Sequence, residues 1–200
     1  MKSGFLSDFF CRLFRMSMLK NIKILDKDSL RRLVGQLKAQ LLAERKQACA
    51  DKVFAELEQK CYFADAQNII AYWSMPDELP THTFVEKWYR QKNIYLPVVQ
   101  GDTLVFRRYG GMDKMLKGAF GILEPCGDAL ADMSIIDLVI VPGVAFDLRN
   151  NRMGRGRGFY DRFLPQTQAV KVGVAFECQH FVEIPVNQND APMDEVIVSD

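Results

Sequence analysis

Residues 135–142, IIDLVIVP, predict the most strongly buried β-strand of this 200-residue chain. Two further apolar segments, NIIAYWS (68–74) and AVKVGVAF (169–176), have the same character. Strands that are apolar on both faces occur in parallel sheets, because the crossover helices cover both faces of the sheet. The three segments therefore predict a layered α/β protein with a largely parallel sheet.

Helical periodicity separates these strands. Two helices are predicted before the first strand, with Asp28 or Ser29 as the N-cap of the first one. A third helix connects the first two strands into a β-α-β unit, and an alternating segment later in the chain predicts an edge strand. The predicted helices are about 28–41, about 46–60, the segment from Phe84 to Tyr89, and 159–164, and the other strands are 93–99, 103–109 and 195–199.

These elements predict one domain, residues 23–200, with a three-layer α/β/α architecture and a central sheet that is mixed only at its edges. A chain of this length usually forms a single domain with one sizeable core. Residues 1–22 precede the domain as an N-terminal extension. They are either dispensable, with Met16 or Met18 as the true start, or an interfacial helix, since their apolar residues recur at helical spacing. Charged residues interrupt the apolar run, so a signal peptide is not predicted.

Composition excludes several classes of protein. Apolar residues make up 48% of the chain and the formal net charge is +1, so neither disorder nor a general affinity for nucleic acid is expected. Five scattered cysteines and two histidines are unsuited to a disulfide framework or a zinc site, and they favour a reducing cytoplasm. No run approaches the roughly 18 apolar residues of a membrane span.

The segment RMGRGRGFYD, residues 152–161, combines three glycines with three arginines. It follows the predicted strand 135–142 and opens a short helix, and ligands of open α/β sheets bind beyond the carboxyl ends of strands. Glycines allow positive φ and close approach of backbone amides to an anion, while arginines can bind phosphate in a bidentate manner. The segment therefore predicts a polyphosphate site, although a solvated turn and a short RNA-binding segment are alternatives.

The wider sequence VPGVAFDLRNNRMGRGRGFYDRFL, residues 141–164, closely resembles the signature of the 5-formyltetrahydrofolate cyclo-ligase family. That signature runs from an apolar strand through P-G-x-x-F-D to R-[LM]-G-x-G-x-G-[FY]-Y-D. The resemblance continues over nearly the whole chain from about Lys27. It includes KDSLRR (27–32), YWSMPDELPT (72–81), KGAFGILEP (117–125) and PVNQNDAPMDEVI (185–197).

The resemblance implies a reaction. The family converts 5-formyltetrahydrofolate to 5,10-methenyltetrahydrofolate with ATP and Mg²⁺: the formyl oxygen is phosphorylated, N10 attacks the activated carbon, and phosphate leaves. The implied partners are ATP and 5-formyltetrahydrofolate, with or without a polyglutamate tail, and neither nucleic acid nor a membrane. A cytoplasmic monomer is expected.

The resemblance also implies site residues. The substrate contacts are Trp73, Glu78, Phe120 and residues 155–159, Lys117 is a further phosphate contact, and the Mg²⁺ ligands are Asp161 and Asp190. Arg155, Arg157 and Asp161 are the implied catalytic residues. The implied ATP contacts are Lys27, Arg31, Arg152, Met153, Gly154, Arg155, Gly156, Arg157, Gly158, Phe159 and Tyr160.

Each assignment has an ordinary structural alternative. Lys27 and Arg31 could form a solvated basic helix face, and Trp73 could serve core packing alone. Asp161 could favour the helix dipole, and Asp190 alone would indicate a turn. A regulatory domain that binds folate or a nucleotide without chemistry is the alternative for the chain as a whole.

Overall fold

The computed structural model describes residues 26–118 and 121–199. The predicted extension, residues 1–22, lies outside these ranges, as does Phe120. No helix within them has the length and apolar character needed to cross a membrane.

The helices follow the predicted order with shifted ends. The first helix begins one residue early, because Asp26 rather than Asp28 or Ser29 is its N-cap: Asp26 Oδ1 accepts a hydrogen bond of 2.7 Å from the Ser29 amide. The helix predicted at about 46–60 is found at Ala43–Leu57, and a short helix that was not predicted follows at Cys61–Asp65. The helices are α1 (Lys27–Ala39), α2 (Ala43–Leu57), α3 (Cys61–Asp65), α4 (His82–Trp88) and α5 (Phe159–Phe163).

The described strands form one central sheet and two small ones. The strands are β1 (Asn68–Ile70), β2 (Asn93–Gln100), β3 (Thr103–Arg108), β4 (Met115–Lys117), β5 (Leu123–Pro125), β6 (Leu138–Val141), β7 (Ala145–Asp147), β8 (Arg152–Met153), β9 (Val170–Phe176), β10 (His180–Phe181) and β11 (Glu195–Ser199). The central sheet has the order β11-β9-β6-β1-β2-β3, and the small sheets are β10-β7-β8 and β4-β5. All neighbours in the central sheet are parallel except β2 and β3, so the predicted α/β class with a mixed edge is confirmed.

Helices cover one face of the central sheet, and α5 with the β10-β7-β8 sheet covers the other. Leu57, Phe63 and Phe84 bring α2, α3 and α4 onto the first face. Phe146 and Phe163 pack on the second face. Helix α1 then packs on the outer side of β7 through an apolar cluster. This packing places the amino end of α1 beside residues 154–158, which we call the glycine–arginine loop.

The strand predicted at 68–74 ends as β1 at Ile70, and residues 71–81 form a closed loop. The Ser74 amide donates to Thr81 Oγ1 at 3.1 Å, and the Thr81 amide donates back to Ser74 Oγ at 3.1 Å. Tyr72 is buried in this loop, so burial rather than strand pairing explains the apolar pattern beyond Ile70. This loop carries Trp73 and Glu78 to the candidate site.

Lys92 stabilises the carboxyl end of α3. Its side chain is buried, and its Nζ donates to the carbonyl oxygens of Phe63, Ala64 and Ala66 at 3.0, 3.2 and 2.6 Å. We expect Lys92→Met to lower the free energy of unfolding by about 2–3 kcal/mol, because buried carbonyls would lose a charged donor. Urea denaturation measures the change. The control Lys87→Met removes an exposed lysine and should cost less than about 1 kcal/mol; equal losses in the two variants would contradict this role for Lys92.

Candidate active site

The glycine–arginine loop links β8 to α5 beyond the carboxyl end of β6. Its backbone takes positive φ at Gly156 (100°) and Gly158 (68°), a region that L-residues with side chains rarely adopt. Gly154 is not among the glycines with positive φ. Two of the three glycines are therefore required by backbone conformation.

One side of the loop borders a cavity of about 400 Å³ with a largely apolar wall. Residues 152–161, the loop after β1 and strands β2 and β3 together supply most of this wall. Glu78 belongs to it, and its carboxylate is only 11% exposed. We call this the aromatic cavity. Its wall includes Tyr72, Trp73, Glu78, Pro97, Val99, Leu104, Arg152, Arg155, Arg157, Phe159, Tyr160 and Asp161.

The other side of the loop borders a wider, polar cavity of about 1090 Å³. We call this the charged cavity. Gly154, Gly158 and Asp161 line both cavities, so the loop and the start of α5 form the partition between them. The charged side chains of this wall are Lys27, Arg31, Asp161, Arg162, Lys171, Asp190 and Asp194.

The amino end of α1 is tied to the loop and to the segment before β11. Arg31 Nε donates to the Gly154 carbonyl oxygen at 3.0 Å. Lys27 Nζ lies 2.5 Å from Asp190 Oδ2, which also accepts a hydrogen bond of 2.6 Å from the Asn187 amide. Residues that are 163 positions apart in the chain thus meet in the charged cavity.

Arg152 is a buried residue that orients Asp161. Its side chain is 3% exposed, Nη2 lies 2.7 Å from Asp161 Oδ1, and Nη1 donates to the Pro142 carbonyl oxygen at 3.1 Å. Its Nε is buried and has no hydrogen-bond partner among the described residues. Asp161 itself is 19% exposed, at the partition.

Arg155 closes one end of the aromatic cavity by an ion-pair network. Its Nη2 donates to Asp77 Oδ1 at 2.7 Å and to Glu78 Oε1 at 3.1 Å, and Nε donates to the same Glu78 oxygen at 3.2 Å. Lys38, buried on α1, donates to Asp77 Oδ2 at 3.0 Å. Burial raises the pKa of Asp77, but the hydrogen bonds from Arg155 and Lys38 outweigh it, so the pKa lies below its ordinary value.

Trp73 has both of the roles considered from sequence. Its ring stacks on His82 at 4.0 Å and on Tyr109 at 5.6 Å between ring centroids, which is core packing. It also lines the aromatic cavity. His82, to which no role was assigned from sequence, thus supports this wall; burial lowers its pKa, opposed by its contact with the Ser74 carbonyl oxygen at 3.1 Å.

Two residues that the family resemblance assigned to the site, Met153 and Lys117, lie outside both cavities. Met153 is 1% exposed, packs against α1 and lines neither cavity. Lys117 is exposed on β4 and belongs to neither cavity wall. Sequence reasoning missed Arg162 and Lys171 in the charged cavity: Arg162 adjoins the motif, whereas Lys171 has no local signal.

The aspartates of the charged cavity fit Mg²⁺ only if a polyphosphate supplies further oxygen ligands to the ion. Asp161 and Asp190 line the same cavity. Within residues 26–118 and 121–199, no three His, Cys, Asp or Glu side chains gather to hold a metal. Magnesium typically binds one or two carboxylates together with phosphate oxygens and water, so two aspartates beside a phosphate site suffice.

The fold and site define an α/β protein with a polar, charged cavity and a largely apolar cavity on the two sides of one loop. A sequence model described as the 5-formyltetrahydrofolate cyclo-ligase family matches residues 23–199, and the chain belongs to this family.

Individual relatives agree with this membership. A 5-formyltetrahydrofolate cyclo-ligase of Haemophilus influenzae is 32% identical over 84% of this chain and 93% of its own length. The NMR structure of Aquifex aeolicus 5,10-methenyltetrahydrofolate synthetase is 31% identical and superposes with a TM-score of 0.78 over 86% of this chain and 89% of that chain. A Mycoplasma pneumoniae synthetase structure, 23% identical with a TM-score of 0.69 over 86% of this chain and 98% of that one, shares the fold.

Proposed function

We propose that this chain converts 5-formyltetrahydrofolate to 5,10-methenyltetrahydrofolate with consumption of ATP. The observation that carries the proposal is the partition: the glycine–arginine loop and Asp161 line the charged cavity and the aromatic cavity together. Two ligands bound on opposite sides of one loop would have their reacting ends close together. This proximity is what a transfer between ATP and a folate requires.

The charged cavity is the proposed ATP site. Lys27, Arg31 and Arg162 would face the polyphosphate, and the loop backbone at Gly156 could approach it closely because no side chain intervenes. Asp161 and Asp190 would hold Mg²⁺. When bound, the ion would neutralise charge on the transferring phosphoryl group.

The aromatic cavity is the proposed folate site. The donor-rich amide edge of a pterin complements the Glu78 carboxylate, and its flat ring suits a wall that contains Trp73 and Phe159. Arg155 donates two hydrogen bonds to Glu78 Oε1 in the structure. The bound pterin edge would replace these hydrogen bonds and free the Arg155 guanidinium to move towards the loop.

A formyl oxygen is a poor leaving group, so the proposed reaction first phosphorylates it. The formyl oxygen attacks the γ-phosphorus of ATP and ADP departs. N10 then attacks the formyl carbon, and phosphate leaves with the former formyl oxygen as the ring closes. Arg155 and Arg157 would stabilise the transferring phosphoryl charge, and the apolar wall would exclude water.

The proposed active form is a monomer. The odd, scattered set of five cysteines supports action in the cytoplasm. An exposed Arg155 beside the cavity could also bind a polyglutamate tail. The division into an extension, residues 1–22, and a domain, residues 23–200, stays a prediction.

Turnover by the purified protein tests the proposal. With 5-formyltetrahydrofolate and Mg-ATP, we expect methenyl-folate absorbance to appear with one ADP released per product. Protein whose fold is verified by circular dichroism, yet which shows no turnover, would exclude the reaction. Folate binding without ATP consumption would instead indicate a regulatory domain. Binding of RNA that weakens steeply with salt would indicate the RNA-binding alternative.

A further inference from the structure

Tyr160 carries a buried polar atom that the folded chain does not satisfy. It is the second residue of α5 and lines the aromatic cavity. Its hydroxyl oxygen is buried and has no hydrogen-bond partner among the described residues. Buried hydroxyls are nearly always hydrogen-bonded in native proteins, so such an atom in a cavity wall indicates a ligand that completes it.

The surroundings define what this hydroxyl can do. A tyrosine hydroxyl carries its proton at neutral pH and can donate a hydrogen bond. The centre of the Tyr160 ring lies 5.4 Å from the Arg152 guanidinium carbon. Tyr160 thus stands between the proposed pterin-binding carboxylate and the Arg152–Asp161 pair at the partition.

We propose that the Tyr160 hydroxyl donates a hydrogen bond to the formyl oxygen of bound 5-formyltetrahydrofolate. The inference rests on the proposed function. The proposed function puts the donor edge of the pterin at Glu78 and the phosphate at Asp161. The N5 formyl group would then lie between Glu78 and Asp161. An amide-like oxygen is a good acceptor with two lone pairs, one for Tyr160 and one directed at phosphorus. Family resemblance assigned Tyr160 to ATP, whereas its position in the aromatic cavity assigns it to the folate.

Ligand pairs that differ only at N5 test this contact. The dissociation constants of 5-formyltetrahydrofolate and 5-methyltetrahydrofolate are measured without ATP, by calorimetry, for the wild type and Tyr160→Phe. We expect the variant to bind the formyl compound about tenfold more weakly, since a ligand acceptor loses its donor. Binding of the methyl compound should be unchanged. The affinity for ATP should also be unchanged.

Tyr72→Phe is the matched control. Tyr72 lines the same cavity, but its hydroxyl already donates to the Leu79 carbonyl oxygen at 3.0 Å. This variant should lose stability and should change the affinities for both folates by the same factor. Tyr160→Phe should unfold at a temperature equal to or above that of the wild type, because it removes an unsatisfied buried group.

Three results would overturn the inference: equal weakening of both folates by Tyr160→Phe, no weakening of either, or a loss confined to ATP. Failure of the proposed function has a different signature, which is the absence of turnover by the wild type. Discrimination at N5 without turnover would support the contact while refuting the reaction.

Discussion

Replacing Asp161 by asparagine should reduce ATP-dependent turnover by about 10²–10³-fold, because a phosphoryl-bound cation contributes several kcal/mol to transition-state stabilisation. Asparagine retains an oxygen that can accept the hydrogen bond from Arg152 Nη2, now 2.7 Å from Asp161 Oδ1. The fold should therefore persist while the charge is lost. Steady-state rates measured over a range of Mg²⁺ concentrations check this, and higher Mg²⁺ should restore part of the rate.

Asp132→Asn is the control for this variant. Asp132 is an exposed aspartate whose Oδ1 accepts a hydrogen bond of 2.8 Å from the Ser134 amide, and asparagine can preserve that cap. Its turnover should equal that of the wild type. Full activity of Asp161→Asn at all Mg²⁺ concentrations would remove Asp161 from the proposed metal site.

Replacing Glu78 by glutamine should raise the KM for 5-formyltetrahydrofolate by up to about 100-fold, because glutamine keeps one acceptor oxygen and loses one charge-assisted hydrogen bond of about 1.5–3 kcal/mol. The carboxylate is only 11% exposed and lines the aromatic cavity, so solvent screens it weakly. Glutamine would present one donor to the donor-rich pterin edge. The dissociation constant of ATP should change little, since Glu78 is not among the residues of the charged cavity.

Asp77→Asn separates folate recognition from the Arg155 network. Asp77 also pairs with Arg155, but it is 48% exposed and does not line the aromatic cavity. Its loss should change the KM for folate by less than about fivefold, the range of a solvent-exposed ion pair. If Asp77→Asn and Glu78→Gln raised this KM equally, the contribution of Glu78 would come from holding Arg155 rather than from touching the pterin.

Local pattern was sufficient for the central sheet and for the loop. The segment 135–142 contains β6, and 195–199 matches β11 at both ends, because continuous apolar runs have few alternatives to a buried strand. The glycine–arginine loop was recognisable because its chemistry is contained in ten consecutive residues. The small strands β7, β8 and β10 were missed because two or three residues are too short to show a period of two.

Contacts between distant segments could not be predicted from local pattern. Nothing near Lys27 indicates that it meets Asp190, and nothing near Arg155 indicates that it pairs with Asp77 and Glu78. These contacts depend on the packing of α1 on β7 and on the closed loop after β1. The unsatisfied hydroxyl of Tyr160 is likewise invisible in the sequence, because whether a polar atom finds a partner depends on every element packed around it.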